Sequence, residues 1–200
     1  LVAKLPEELI AILAAEQQYL SGLKDTIKYP DRHPQSLLDR VADADVGQQN
    51  NMLAALQKTV DATIAAGFKD RLLVVEELRG TGDLKSAYIS LDKELESRLI
   101  ERDLNDFSNR KAQAKTLPEI LRITNERQQF LARVHSTIKY KDAHSQGLLD
   151  SLEKAHSGQQ DKTMQKLHNL CPHLTKHKIT LEQDLLERLK NSDDIHTTVK

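Results

Sequence analysis

The chain contains itself twice. Sliding the 200-residue sequence by 111 positions aligns Gln17–Leu56 with Gln128–Leu167 without a gap, and 18 of the 40 pairs are identical. The identities are mostly polar: Gln17, Gln18, Thr26, Lys28, Tyr29, Asp31, His33, Gln35, Asp39 and Gly47-Gln48-Gln49 all recur, alongside Leu20, Ile27, Leu37, Leu38, Ala44 and Leu56. Farther on, Val74, Val75, Glu76 and Leu78 fall on Leu185, Leu186, Glu187 and Leu189. Each copy opens on Leu-Pro-Glu, at Leu5 and at Leu117, one residue off register. A repeat of this length limits the fold to something that builds the same unit twice. We expect a first unit over 1–112 and a second, shortened unit over 113–200, because Ile89 already falls on Lys200. A start at Leu1 rather than Met suggests a piece of something longer.

The unit should be helical. Seven glycines and five prolines in 200 residues are too few for the turns of a sandwich, barrel or doubly wound sheet, and Leu, Ala, Glu, Lys, Gln and Asp dominate. Leu9, Leu13, Glu16, Leu20, Leu23 and Ile27 follow a four–three spacing, as Ile120, Thr124, Arg127, Leu131, Val134 and Ile138 do. That spacing is the seam of one helix packed along another. The spacing predicts helices over about 6–28, 35–66, 70–79 and 83–113, with a Pro-containing turn over Tyr29–Pro34 and a stop at Gly67. Thr116-Leu117-Pro118-Glu119 reads as a capped helix start. No stretch alternates as a half-buried strand does. Short turns make successive helices antiparallel, so the expected class is all-α: tandem antiparallel helical bundles built from a duplicated unit, elongated or merged.

Four constellations carry possible chemistry. The turn Tyr29/Asp31/His33 and its copy Tyr140/Asp142/His144 are the candidate binding residues, as a duplicated recognition loop or a His-Asp pair able to hold a metal, although a mononuclear site needs three or four ligands and one copy supplies two. Read structurally, the aspartate would cap the next helix and the tyrosine would pack on the bundle end. Gly47-Gln48-Gln49 and Gly158-Gln159-Gln160, preceded by Asp45 and His156, would place a polar layer on the second helix, where it fixes register. Glu16 and Arg127 would do the same on the first helix. His168, Cys171, His173 and His177 have metal-like spacing, but Pro172 interrupts them and Gln57, Val60, Ala62 and Ala66 stand at their places in the first copy, so no metal is expected. Glu153-x-x-His156 resembles half a di-iron motif, which needs a second such pair that Ala42 and Asp45 do not supply. No phosphate-binding glycine loop or nucleophile–base order stands out, and neither an enzyme nor a cofactor is expected.

Charge narrows the partners. Lys+Arg 29 against Asp+Glu 30 gives a net charge of −1, which does not suit nucleic acid. Residues 1–112 carry 15 basic and 19 acidic groups; the remainder carries 14 and 11, with seven of the eight histidines. Opposite signs suit contact between copies, including self-association. No apolar run approaches the ~20 residues of a membrane span, and the single cysteine, Cys171, suits a reducing, cytoplasmic setting.

Tandem helical units with heptad-like seams resemble the spectrin-repeat rods of cytoskeletal and plakin-like proteins. The resemblance implies a three-helix bundle per repeat, a coiled-coil scaffold role and protein partners rather than substrates. This chain differs in having no Trp, in Pro118 between the repeats, and in Gly80 and Gly82 within the third helix. The expected function is a non-enzymatic protein–protein interaction scaffold or adaptor; the alternative is a helical bundle that binds a ligand or a metal.

Overall fold

The computed structural model describes residues 5–44, 46–80, 84–158, 162–169 and 179–192, and among these every regular element is a helix. In chain order they are α1 (Pro6–Lys24), α2 (Gln35–Ala42), α3 (Val46–Ala65), α4 (Arg71–Gly80), α5 (Leu84–Gln113), α6 (Leu117–Thr137), α7 (Gln146–His156), α8 (162–169) and α9 (Ile179–Asn191). Single 3₁₀ turns, Pro30–Arg32 and Lys141–Ala143, link α1 to α2 and α6 to α7. The chain forms two compact units, Leu1–Leu95 and Glu96–Lys200, whose boundary lies inside α5.

Local chemistry accounts for the ends. Pro6 opens α1, where its missing N–H costs nothing, and Glu7 and Glu8 sit against the positive end of the helix. The α1 helix stops at Lys24, four residues before the expected end. Thr26 Oγ1 donates to the carbonyls of Gly22 and Leu23, closing the last turn. Gly67 adopts φ +69°, a left-handed conformation that terminates α3 as expected. Asp70 Oδ1 accepts the Leu73 N–H at 2.9 Å to start α4.

Two expectations need correction. The second helix is not continuous from 35 to 66: it breaks after Ala42, where the Asp43 N–H reaches both Asp39 and Val41 carbonyls and Ala44 bonds only Val41. The Asp-rich run Asp43-Ala44-Asp45 favours such local bonding over helix propagation. Thr116 occupies the N-cap of α6 but its hydroxyl makes no capping bond; Glu119 Oε2 instead accepts the Lys115 N–H at 3.0 Å.

In the first unit α1 packs against α2, α3 and α4. Leu20 shares a cluster with Val41 and Ala44, whereas Ile10, near the other end of α1, meets Leu56 and Val60. The chain therefore runs up α1 and returns antiparallel through α2 and α3. Val74 and Leu78 of α4 and Ala87 and Leu91 of α5 complete that core. Lys69 bridges Glu77 of α4 and Glu94 of α5, and Glu77 also accepts from Ser90 Oγ at 3.0 Å. Burial alone would lower the Lys69 pKa; the bonds to the two carboxylates more than offset it and hold the ammonium above its ordinary value.

In the second unit α6 packs on α7 and α9. Leu131, Val134, Leu152 and Ala155 form one cluster with Ile100 and Leu104 of α5. Leu117, Ile120, Leu121 and Ile123 form another with Leu167, Leu186 and Leu189, against which Phe107 of α5 packs.

Candidate functional site

The two copies of the Tyr-x-Asp-x-His turn have the same backbone. Tyr29 sits at φ −130°, ψ 79° and Tyr140 at −115°, 72°; His33 sits at −115°, 147° and His144 at −117°, 153°. The His33 N–H bonds the Pro30 carbonyl at 3.0 Å, and the His144 N–H bonds the Lys141 carbonyl at 3.3 Å. Neighbouring side chains repeat too. Gln35 Nε2 donates to Asp39 Oδ1 and Gln146 Nε2 to Asp150 Oδ1, both at 2.8 Å. Thr137 Oγ1 donates to the Arg133 and Val134 carbonyls, as Thr26 does one copy earlier. The identical residues thus build the same local object twice.

The surroundings of the two turns differ. The second is clamped by Glu96 of α5: Oε2 accepts the Lys139 N–H at 2.9 Å and Oε1 accepts the Tyr140 N–H at 3.0 Å. The His144 side chain is only 2% exposed, with Nε2 lying 3.5 Å from Glu96 Oε1, beyond a good hydrogen bond and within ion-pair range. Sequence reasoning missed Glu96. No local signal points to it, because the amides it receives lie 43 and 44 residues away on another segment. Around the first turn Tyr29 is 60% exposed, with the Arg32 guanidinium over its ring at 5.1 Å, and Asp31 and His33 are exposed as well.

The two copies present these six residues differently, and the capping reading of the aspartates needs correction. The turn of Tyr140, Asp142 and His144 does not share the exposure of Tyr29, Asp31 and His33. Asp142 is exposed in the middle of the 3₁₀ turn, while His144 is turned inward beside Glu96, so the aspartate and the histidine of the second copy do not present one common surface. The physical reason is the α5 clamp, which buries one side of the turn and leaves Asp142 on the other. Nor does either aspartate cap the helix that follows. Asp31 lies before Pro34, the N-cap position of α2, and Asp142 lies before Ser145, whose Oγ caps α7 by accepting the Leu148 N–H. In both copies the 3₁₀ turn ends between the aspartate and the helix, placing the carboxylate outside reach of the cap position.

The outer face of α1 continues the difference between copies. Ile12 is 47% exposed, whereas its counterpart Ile123 is 3% exposed, within the cluster against which Phe107 packs. Tyr19 is 67% exposed, whereas its counterpart Phe130 is half-buried with its ring 5.6 Å from that of Phe107. Ala15 stands where the second copy has Glu126, which pairs with Arg110 of α5 and with Arg122. The hydrogen bond from Arg110 holds the Glu126 carboxyl below the usual range, and the same bond raises the Arg110 pKa.

The polar-layer and histidine expectations resolve piecemeal. Asp45, Gln159, Gln160, Cys171, His173 and His177 lie outside the described residues, as do the side chains of Gly47–Gln49. His156 ends α7 exposed, its ring stacked on His135 at 4.2 Å, while His135 Nε2 lies 2.9 Å from Glu153 Oε2. Those rings are nearly parallel and do not converge on a common point, and no cluster of three metal-ligating side chains occurs among the described residues. His168 borders an open groove of about 660 Å³ between α6 and α8, floored by Pro118, Leu121 and Met164. Glu16 pairs with Arg40 of α2 on an exposed surface. No described helix is long and apolar enough to cross a membrane. Comparison of the chain with protein-family models, with curated proteins and with solved structures found no match.

Proposed function

We propose that the chain is a non-enzymatic protein–protein interaction scaffold or adaptor, built as two tandem bundles of one duplicated helical unit. In the spectrin-repeat comparison this is a rod or spacer whose helical faces engage other proteins in a cytoplasmic, cytoskeletal setting. The observation that carries the reading is the run of large apolar side chains left in water on α1 and the turn after it: Ile12, Tyr19 and Tyr29. Apolar surface of this kind on one helix face supports a macromolecular contact, since burying it is worth roughly 25 cal/mol per Å². The recurring turn supports the duplicated-unit part of the reading.

The test is affinity capture from a cell extract with the intact chain, run beside the Ile12→Asp/Tyr19→Asp double variant. Both residues are exposed, so the variant keeps its helical content. Proteins retained by the parent chain and released by the variant support the scaffold reading. Identical retention by both removes its basis.

A further inference from the structure

We infer that the outer face of α1, together with the turn Lys28–His33, is a docking seat for an amphipathic helix that carries the pattern of the second half of α5. This deepens the scaffold reading and rests on it. The second copy displays the occupied form of the seat. There the covering helix runs antiparallel to α6 and presents Glu96 to the turn amides, Ile100 and Leu104 to the cluster of Leu131, and Phe107 to Phe130 and to the cluster that holds Ile123. Glu96, Ile100, Leu104 and Phe107 are spaced four, four and three apart, which sets them on one face of a helix.

The first copy has the receiving half of the same arrangement. Leu20 and Val41, the counterparts of Leu131 and Leu152, are already buried, and Leu23 and Ile27, only partly buried beside them, stand where the second copy has Val134 and Ile138. The turn already holds the backbone angles of the clamped one, so little ordering cost remains on binding. The Lys28 and Tyr29 amides, which correspond to the two amides Glu96 receives, have no intramolecular acceptor among the described residues. The positions that α5 covers in the second copy are the ones exposed in the first: Ile12, Tyr19, Tyr29 and His33. Four matched positions change exposure together while the backbone does not, as expected where a single covering helix accounts for all four rather than scattered surface variation. The occupant is therefore defined chemically: a carboxylate at the head of a helix, then aliphatic groups at +4 and +8 and an aromatic at +11.

The probe is a fluorescent peptide of residues 94–114 added to the full chain, with binding followed by anisotropy and its location by amide hydrogen exchange. The expected result is saturable one-to-one binding that slows exchange at the Lys28 and Tyr29 amides. Ile12→Asp or Tyr19→Asp in the chain should weaken it by more than about tenfold, and Glu96→Gln in the peptide by roughly tenfold, the loss of charge-assisted bonds. The inference is overturned by no binding, by binding indifferent to those variants, or by a change in exchange confined to Lys139 and Tyr140, which would mean exchange with α5. It is equally overturned if the chain alone self-associates through Ile12, since a second copy would then be the occupant. Failure here, with variant-sensitive capture from extract intact, removes the α5-like occupant and leaves the scaffold reading standing; loss of that sensitivity removes both.

Discussion

The turns at Tyr29 and Tyr140 share sequence, backbone angles and local hydrogen bonds, yet one is exposed and the other is clamped with its histidine buried. The difference comes from Glu96, a residue in neither turn. Local sequence shapes a turn, and a helix distant in sequence decides whether the same turn is an interior joint or a surface. The same holds along the helices: Ile12 and Ile123 occupy matching positions on matching helices, and only Ile123 is buried, in a cluster joined by residues of α8, α9 and α5.

The largest test of this contrast lies in the two cores. Leu131→Ala should cost about 3 kcal/mol, with Leu20→Ala costing about 2. Both leucines are buried, but Leu131 also packs in a cluster with Ile100 and Leu104, whereas no α5 residue joins the cluster around Leu20. Urea unfolding of each variant supplies the comparison, and equal costs would deny α5 a role in the second copy's core.

Lys69→Ala comes next, at roughly 1–2 kcal/mol, because it leaves Glu77 and Glu94 facing each other without the ammonium between them. Thr180 stands at the matching place in the second copy, so this bridge belongs to the first unit alone. Thermal melting checks it, and Lys69→Arg should recover most of the loss.

Glu96→Gln should lower stability by about 1 kcal/mol, since the clamped carboxylate is little exposed and serves two amides. Amide exchange should speed up at Lys139 and Tyr140 while Lys28 and Tyr29, in the same molecule, stay at their parent rates. Unchanged exchange in the second turn would refute the clamp.

Glu126→Gln is a smaller perturbation, no more than about 0.5 kcal/mol at pH 7 after solvent screening, given that a third of that side chain meets water. Its pH dependence has a defined sign. The folded carboxyl is held below its ordinary value, so the pair's contribution is present above that value, about 4.3, and is lost as pH falls through the lower folded one. Parent and variant should differ by a constant amount from neutral pH down to about 5 and converge as pH falls through the lowered folded value. Alanine at the matching Ala15 gives the first copy no such dependence.

The smallest effect on stability is expected from Glu16→Leu, within about 0.5 kcal/mol of the parent, because its partner Arg40 is exposed as well. The added apolar surface on α1 should instead promote self-association, visible in sedimentation. A clear fall in melting temperature with the monomer unchanged would show that the Glu16–Arg40 pair is required by the fold.

The sequence alone determined the helical class, the 111-residue repeat, the turn after α1 and the stop at Gly67. Each of these is local: spacing of apolar residues, proline and glycine geometry, or identity between segments acts within a few residues of itself. The break at Asp43–Ala44 was also local but was hidden, because Val41 and Ala44 still fit a helical stripe across it. Tertiary structure alone decided which copy of the turn is covered, why the His144 side chain is buried while His33 is exposed, and which face of α1 meets water. That outcome depends on Glu96, Ile100, Leu104 and Phe107 meeting residues distant in sequence, as Glu96 meets the amides 43 and 44 positions on, and burial follows from which surfaces meet in space, which no periodicity within one helix encodes.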